Sequence, residues 1–233
     1  MKIFDIDSPL MQVLGKISDL VILNLITVVM CIPIVTAGAS FTAMHYCCLK
    51  IARDHETGIF KLFFHSFKDN FRQSTAIWLL FLVIVAVFVV DCLFMYANPT
   101  DLSTYVFGGL LFCMLLVLFI GTMVYPIQAR FVNTITGTIK NSFIFAFKYF
   151  PRTLVIMIVN LIPLALFFIG NGNIAIMFFP LILCFCFSAP GLLAAKLYDK
   201  PFQKFEDAYF EAHPAESYDD EKIFNDVPDG KNS

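Results

Sequence analysis

Charge is what this chain has least of. Asp, Glu, Lys and Arg make up 15% of its 233 residues, while hydrophobic residues make up 59% and the mean hydropathy is +0.78. Soluble domains carry about 25% charged and about 45–50% apolar residues. A surface this poor in charge does not stay solvated, which excludes a soluble globular fold. Short motifs of familiar chemistry are also missing. There is no Walker sequence, no G-x-S-x-G and no H-E-x-x-H, so neither enzymatic activity nor a cofactor is expected, and nothing points to nucleic acid or to a given oligomeric state. The cysteines are Cys31, Cys47, Cys48, Cys92, Cys113, Cys184 and Cys186, all in or beside apolar runs. Their spacing fits neither a disulfide framework nor a structural zinc site, even with His45 beside Cys47 and Cys48, so they read as small apolar side chains. Residues 1–19 do not read as a cleavable signal peptide, because Asp5, Asp7 and Asp19 precede an apolar stretch that is too long.

What is present is apolar sequence in long runs, the pattern of an all-α, polytopic helical membrane bundle. Its partner is then the lipid bilayer. Leu20 to Leu49 contains no Asp, Glu, Lys or Arg, nor do Leu102 to Ala129 and Thr153 to Ala195. With the run beginning at Thr75, these give membrane segments at about 20–33, 39–53, 75–97, 103–129, 153–169 and 174–195, with GNGN at 170–173 as the turn of a hairpin. The count is five or six, depending on the first run. CIPIVTAGAS (31–40) breaks that run, since Pro33 removes a helical N–H and Gly38 permits a reversal. A hairpin there needs a thinned bilayer or a partly re-entrant turn, because each arm is short of the about 20 residues of a full crossing. The alternative is one span from about Leu20 to Thr36, with 39–53 as a cytoplasmic helix.

Charge sets the orientation. The connections near 98–102 and 170–173 have no Lys or Arg, while 50–73 and 130–152 hold five and four, and Lys196, Lys200 and Lys204 follow the last run. Positive charge stays on the cytoplasmic side, which puts both long loops and the carboxyl terminus inside a plasma membrane. Residues 205–233 carry two Lys against nine acids and read as an acidic, largely disordered tail.

Both inner loops show helical periodicity. Phe60, Phe63, Phe64, Phe67 and Phe71 share one face, with Lys61, His65, Lys68 and Arg72 off it. Ile139, Phe143, Phe147 and Phe150 form a similar stripe. The expectation is an amphipathic helix in the headgroup plane, or packing of these rings against the bundle. SFKDNFRQSTAIWLLFLV (66–83) also aligns with AFKYFPRTLVIMIVNLI (146–162) as a weak internal repeat.

The polar residues in or near the spans are the candidate ligand or ion contacts: Asp91 first, then Asn24 and Asn160. Pro33, Thr36, Gly38 and Ser40 mark either a helix break that lines a site or a place where backbones pack closely.

LNLITVVMCIPIVTAGASFTAMHYCCLKIARD (23–54), followed by FFHSFKDNFRQSTAIWL (63–79) and preceded by Phe-x-x-Asp-Ser-Pro at 4–9, resembles the YesL family of bacterial membrane proteins. The resemblance is specific over residues 1–80 and rests on hydropathy over the remainder of a transmembrane domain at 1–204. It implies a bacterial cell-membrane location and a context of carbohydrate uptake, with a carbohydrate transporter component as partner. The family brings no catalytic residues. The resulting expectation is a non-enzymatic accessory or regulatory protein of carbohydrate uptake, with a small transporter or channel as the alternative.

Overall fold

The computed structural model describes residues 9–53, 58–98, 101–131, 133–169 and 184–212. Among them every regular element is a helix: α1 (Pro9–Cys31), a 3-10 turn (Ile34–Thr36), α2 (Ala37–Ala52), α3 (Ile59–Ala97), α4 (Asp101–Arg130), α5 (Ile135–Lys148), α6 (Phe150–Ile169) and α7 (Ser188–Ala212). Three are long and apolar enough to cross a membrane, over Val13–Cys31, Ile59–Ala97 and Tyr105–Arg130. A fourth is added if α5 and α6, bent by 104°, count as one broken span. This is fewer than the five to six segments expected, partly because residues 170–183, with GNGN and most of the 174–195 segment, lie outside the described residues.

The helix at the centre is α2. It buries Ala39, Ser40, Thr42, Ala43, Cys47 and Cys48 completely and touches α1, α3, α4 and α7. Small side chains along its length let four neighbours approach. Sixteen residues rise only about 24 Å, and α2 is not among the helices able to cross. The 39–53 segment is therefore a buried core helix rather than a lipid-facing span.

Two further expectations change. The stripe at Phe60–Phe71 does not form a separate helix in the headgroup plane, because α3 runs unbroken from Ile59 through the apolar run to Ala97. Phe63 and Phe67 pack into the core, while Phe60, Phe64 and Phe71 stay exposed. The second loop behaves otherwise: α5 ends at Lys148 and α6 leaves at 104°. Pro151 explains the difference between the two halves of the weak repeat. Proline has no N–H and its ring clashes with the carbonyl four residues back, and the first copy has no proline there. Of the expected acidic tail at 205–233, residues 205–212 belong to α7 and Glu206 is bonded to Arg130, while 213–233 lie outside the described residues.

Candidate functional site

The break at 32–36 is closed by hydrogen bonds. A helix that stops leaves carbonyls without partners, and inside lipid each unmet group costs several kcal/mol. Here the Thr36 hydroxyl donates to Met30 O at 2.5 Å, with Pro33 O 2.8 Å away, and Thr36 N–H donates to Pro33 O at 2.9 Å. The Trp78 indole N–H reaches across from α3 to Ile34 O at 2.7 Å. Next along the chain, Gly38 lies against α3 so closely that a Cβ would stand 2.5 Å from Ser74 O and 2.6 Å from Trp78 Cβ. One turn further, the buried hydroxyls of Thr42 and Ser74 meet at 2.8 Å. Pro33, Thr36, Gly38 and Ser40 thus act together: the first breaks, the second closes, the third docks, and Ser40 donates back to Thr36 O at 3.0 Å.

Beside this junction lies a cavity of about 320 Å³ between α2, α3, α4 and α6. Phe41, Met44, Ile77, Trp78 and Phe81 form much of its wall, and His45, Tyr125 and Asn160 bring polar groups to it. Phe41 sits in a knot of rings, 6.0 Å from Trp78, 5.6 Å from Tyr125 and 5.3 Å from Phe187. An apolar pocket with a few convergent polar groups is the common form of a small-molecule site. Asn160 therefore belongs to a pocket. Asp91 does not: it is half-buried, without a partner among the described residues, and ten residues beyond Phe81 on α3, about 15 Å along the axis.

Asn24 has a different task. It is fully buried, and its side-chain oxygen accepts the backbone N–H groups of Phe187 at 2.8 Å and Ser188 at 3.0 Å. These are donors that the start of α7 cannot satisfy itself. A side chain on α1 thereby caps a helix more than 160 positions away.

At the opposite end of α2 the charges gather. Arg130 at the end of α4 is 3% exposed and forms a two-bond fork with Glu206, both contacts at 2.7 Å. Asp199 joins it at 3.3 Å and takes two bonds from Arg53, at 2.9 and 2.7 Å. The network ties α2, α4 and α7 together. Lys50 lies close by, and burial, then Arg53 and Arg130, hold its ammonium below the usual lysine range. Burial likewise pushes the Tyr198 phenol up to about 12, against the opposing pull of its hydrogen bond to Thr153 and of Arg152. Sequence reasoning missed this cluster because Asp199 and Glu206 lie among exposed-looking charges after the last apolar run. The one available signal was Arg130, a lone cation closing a 28-residue uncharged stretch.

On α3 the face left open carries Lys61, Lys68 and Arg72 beside Phe60, Phe64 and Phe71. That half of the helix is held rigidly. Gln73 donates to Asn133 O at 2.6 Å and to the Thr138 hydroxyl at 3.3 Å, fixing it to the start of α5.

Among known families, the one described as "Protein of unknown function, DUF624" matches residues 20–92, from within α1 to near the far end of α3. No curated protein and no solved structure matches. The matched stretch holds the whole hydrogen-bonded break, the Gly38 contact and the basic-aromatic half of α3.

Proposed function

We propose that this chain is a YesL-like, multi-pass protein of the bacterial cell membrane, with its carboxyl end in the cytoplasm, that serves as a non-enzymatic accessory or regulator of carbohydrate uptake. The observation that carries the docking part is the open face of α3. Cations and aromatic rings stand side by side on a helix continuous with an apolar span, and the Thr42–Ser74 and Gln73 contacts hold it in place. Aromatic rings and arginine dominate the energetics of many protein interfaces, and a rigid face loses little entropy on docking. The carbohydrate context comes from the YesL resemblance. A photo-crosslinking amino acid at Phe64 or Lys68 in living cells tests the proposal: adducts with a subunit of a sugar transporter support it, and adducts with lipid alone refute it.

The cavity favours a second reading, a small transporter in its own right. His45, Tyr125 and Asn160 would then hold a neutral, hydrogen-bonding solute against the Trp78 and Phe41 rings. Flux into proteoliposomes containing this protein alone, abolished by Asn160→Leu, would establish that reading over the first.

A further inference from the structure

We infer that α1 and α2 form a hairpin that does not cross the membrane: it rises beside the basic half of α3, sets its turn at residues 32–36 into the edge of the hydrocarbon, and returns to the side from which it came. The inference rests on the reading of α3 as a span.

The two arms lie side by side. Asn24 is seven residues before the end of α1, about 10 Å back, and Cys48 is eleven residues into α2, about 16 Å on. Both meet the start of α7: Asn24 accepts from the Ser188 N–H, and the Cys48 thiol donates to Ser188 O at 3.7 Å. Arms that reach one point from opposite sides of a break run antiparallel.

The level of the turn decides whether the hairpin crosses. Ile34 is bonded to Trp78, and Gly38 lies on Ser74 and Trp78. At Trp78 the character of α3 changes. Behind it lie Arg72, Lys68 and Lys61, about 9, 15 and 26 Å along the axis, while ahead the helix is apolar for about 28 Å to Ala97, with Asp91 its one charge. A tryptophan at such a transition suits the membrane interface. A hairpin that crossed would turn near Ala97, on the opposite side. Instead α2 runs from the turn toward the charged half, with Ile34 at Trp78, Gly38 at Trp78 and Ser74, and Thr42 at Ser74, and Arg53, at its foot, pairs with Asp199 rather than meeting lipid.

The turn is built for lipid at its tip. Ile32 is 74% exposed, Ile34 65% and Val35 50%, an apolar cluster at the summit of a hairpin. The backbone oxygens of Met30, Pro33 and Ile34 are all hydrogen-bonded. Irregular backbone survives at membrane depth only when its polar groups are met internally, and a turn facing water would need none of this.

Single cysteines in the full-length protein, probed on intact cells and on inverted vesicles with an impermeant maleimide, test the inference. Lys2→Cys, Lys61→Cys and Asn98→Cys report the sides, and Ile34→Cys reports the tip. The expected result is labelling at 2 and 61 from one face, at 98 from the other, and no labelling at 34 from the face that labels 98. In addition, a nitroxide on Ile34→Cys should be relaxed more by oxygen than by an aqueous nickel chelate. Labelling at 34 together with 98 means that the hairpin crosses and overturns the inference, as does labelling at 2 together with 98. If 98 and not 61 labels from the cytoplasmic face, the orientation proposed above fails, yet the hairpin is still judged by whether 34 follows 61 or 98.

Discussion

Replacing Gly38 with alanine drives a methyl group into α3. The new Cβ would lie 2.5 Å from Ser74 O, 2.6 Å from Trp78 Cβ and 3.1 Å from Ser74 C, well inside contact distances of about 3.5–4.0 Å. The obstacles are backbone and a Cβ, so no side-chain rotation relieves them, and the helices must separate by about 1 Å. Overpacking of this kind costs roughly 1–3 kcal/mol. Separation also stretches the Trp78–Ile34 and Thr42–Ser74 hydrogen bonds, each contributing about 0.5–1.5 kcal/mol. Alanine returns up to about 1 kcal/mol in helix propensity. The net loss is about 2–4 kcal/mol, or roughly 5–15 °C in Tm for a chain of this size. Trp78 is the one tryptophan, so its emission in detergent follows both unfolding and the junction, and the variant's native spectrum should shift. Gly15→Ala is the control: nothing lies within 4 Å of its added Cβ, so its Tm should match or exceed that of the parent. Equal midpoints for the two variants, with an unchanged Trp78 spectrum, would refute the reasoning.

Further outcomes follow from the same contacts. Arg130→Gln leaves Glu206 and Asp199 without their shared cation; with Arg130 nearly inaccessible, the loss should approach the about 3–5 kcal/mol of a broken buried pair. Adding Glu206→Gln should then cost far less than it does alone, which a thermal-shift double-mutant cycle would register. Asn24→Leu removes the acceptor for the buried Ser188 N–H and the half-buried Phe187 N–H and should lower stability by about 1–3 kcal/mol, whereas Asn24→Asp keeps an acceptor and should cost less in the same assay. Thr36→Val, nearly equal in shape, should destabilise by about 1–3 kcal/mol through the exposed Met30 carbonyl alone. Equal thermal midpoints for Thr36→Val and Thr36→Ser would exclude the hydroxyl as the closing group.

Local signals carried well from sequence to structure. The all-helical class, the break at Pro33 and helix ends near Ala97 and Arg130 follow from hydropathy, proline and turn residues, which act over a few positions. The face of Phe60, Phe63, Phe64, Phe67 and Phe71 was legible as a face, but periodicity alone gives no sign that Phe63 turns inward and Phe64 outward. Nor does it say whether a charged helix bends away from the span it precedes. The continuity of α3 against the 104° bend at Tyr149 came down to Pro151, which has no counterpart in the first half of the weak repeat. What local pattern could not reveal is pairing at long range: Asn24 with Ser188, Arg130 with Glu206, Gly38 with Ser74. Each joins residues that only the folded chain brings together, and each occupies a position that looks unremarkable along the sequence. Asn160 and Asp91 looked alike as intramembrane polar residues, and only packing separates the one that lines a cavity from the one that does not.

The most direct test of the account is the depth of Trp78. In liposomes made from phospholipids brominated either near the ester end or near the methyl end of the acyl chain, quenching of its fluorescence reports where the break sits. Stronger quenching by the shallow bromines is the expected result, placing Trp78 and the Ile34 turn at the edge of the hydrocarbon. Stronger quenching by the deep bromines would put the turn near the bilayer centre, and the charged half of α3 could then not lie outside the membrane as the account requires.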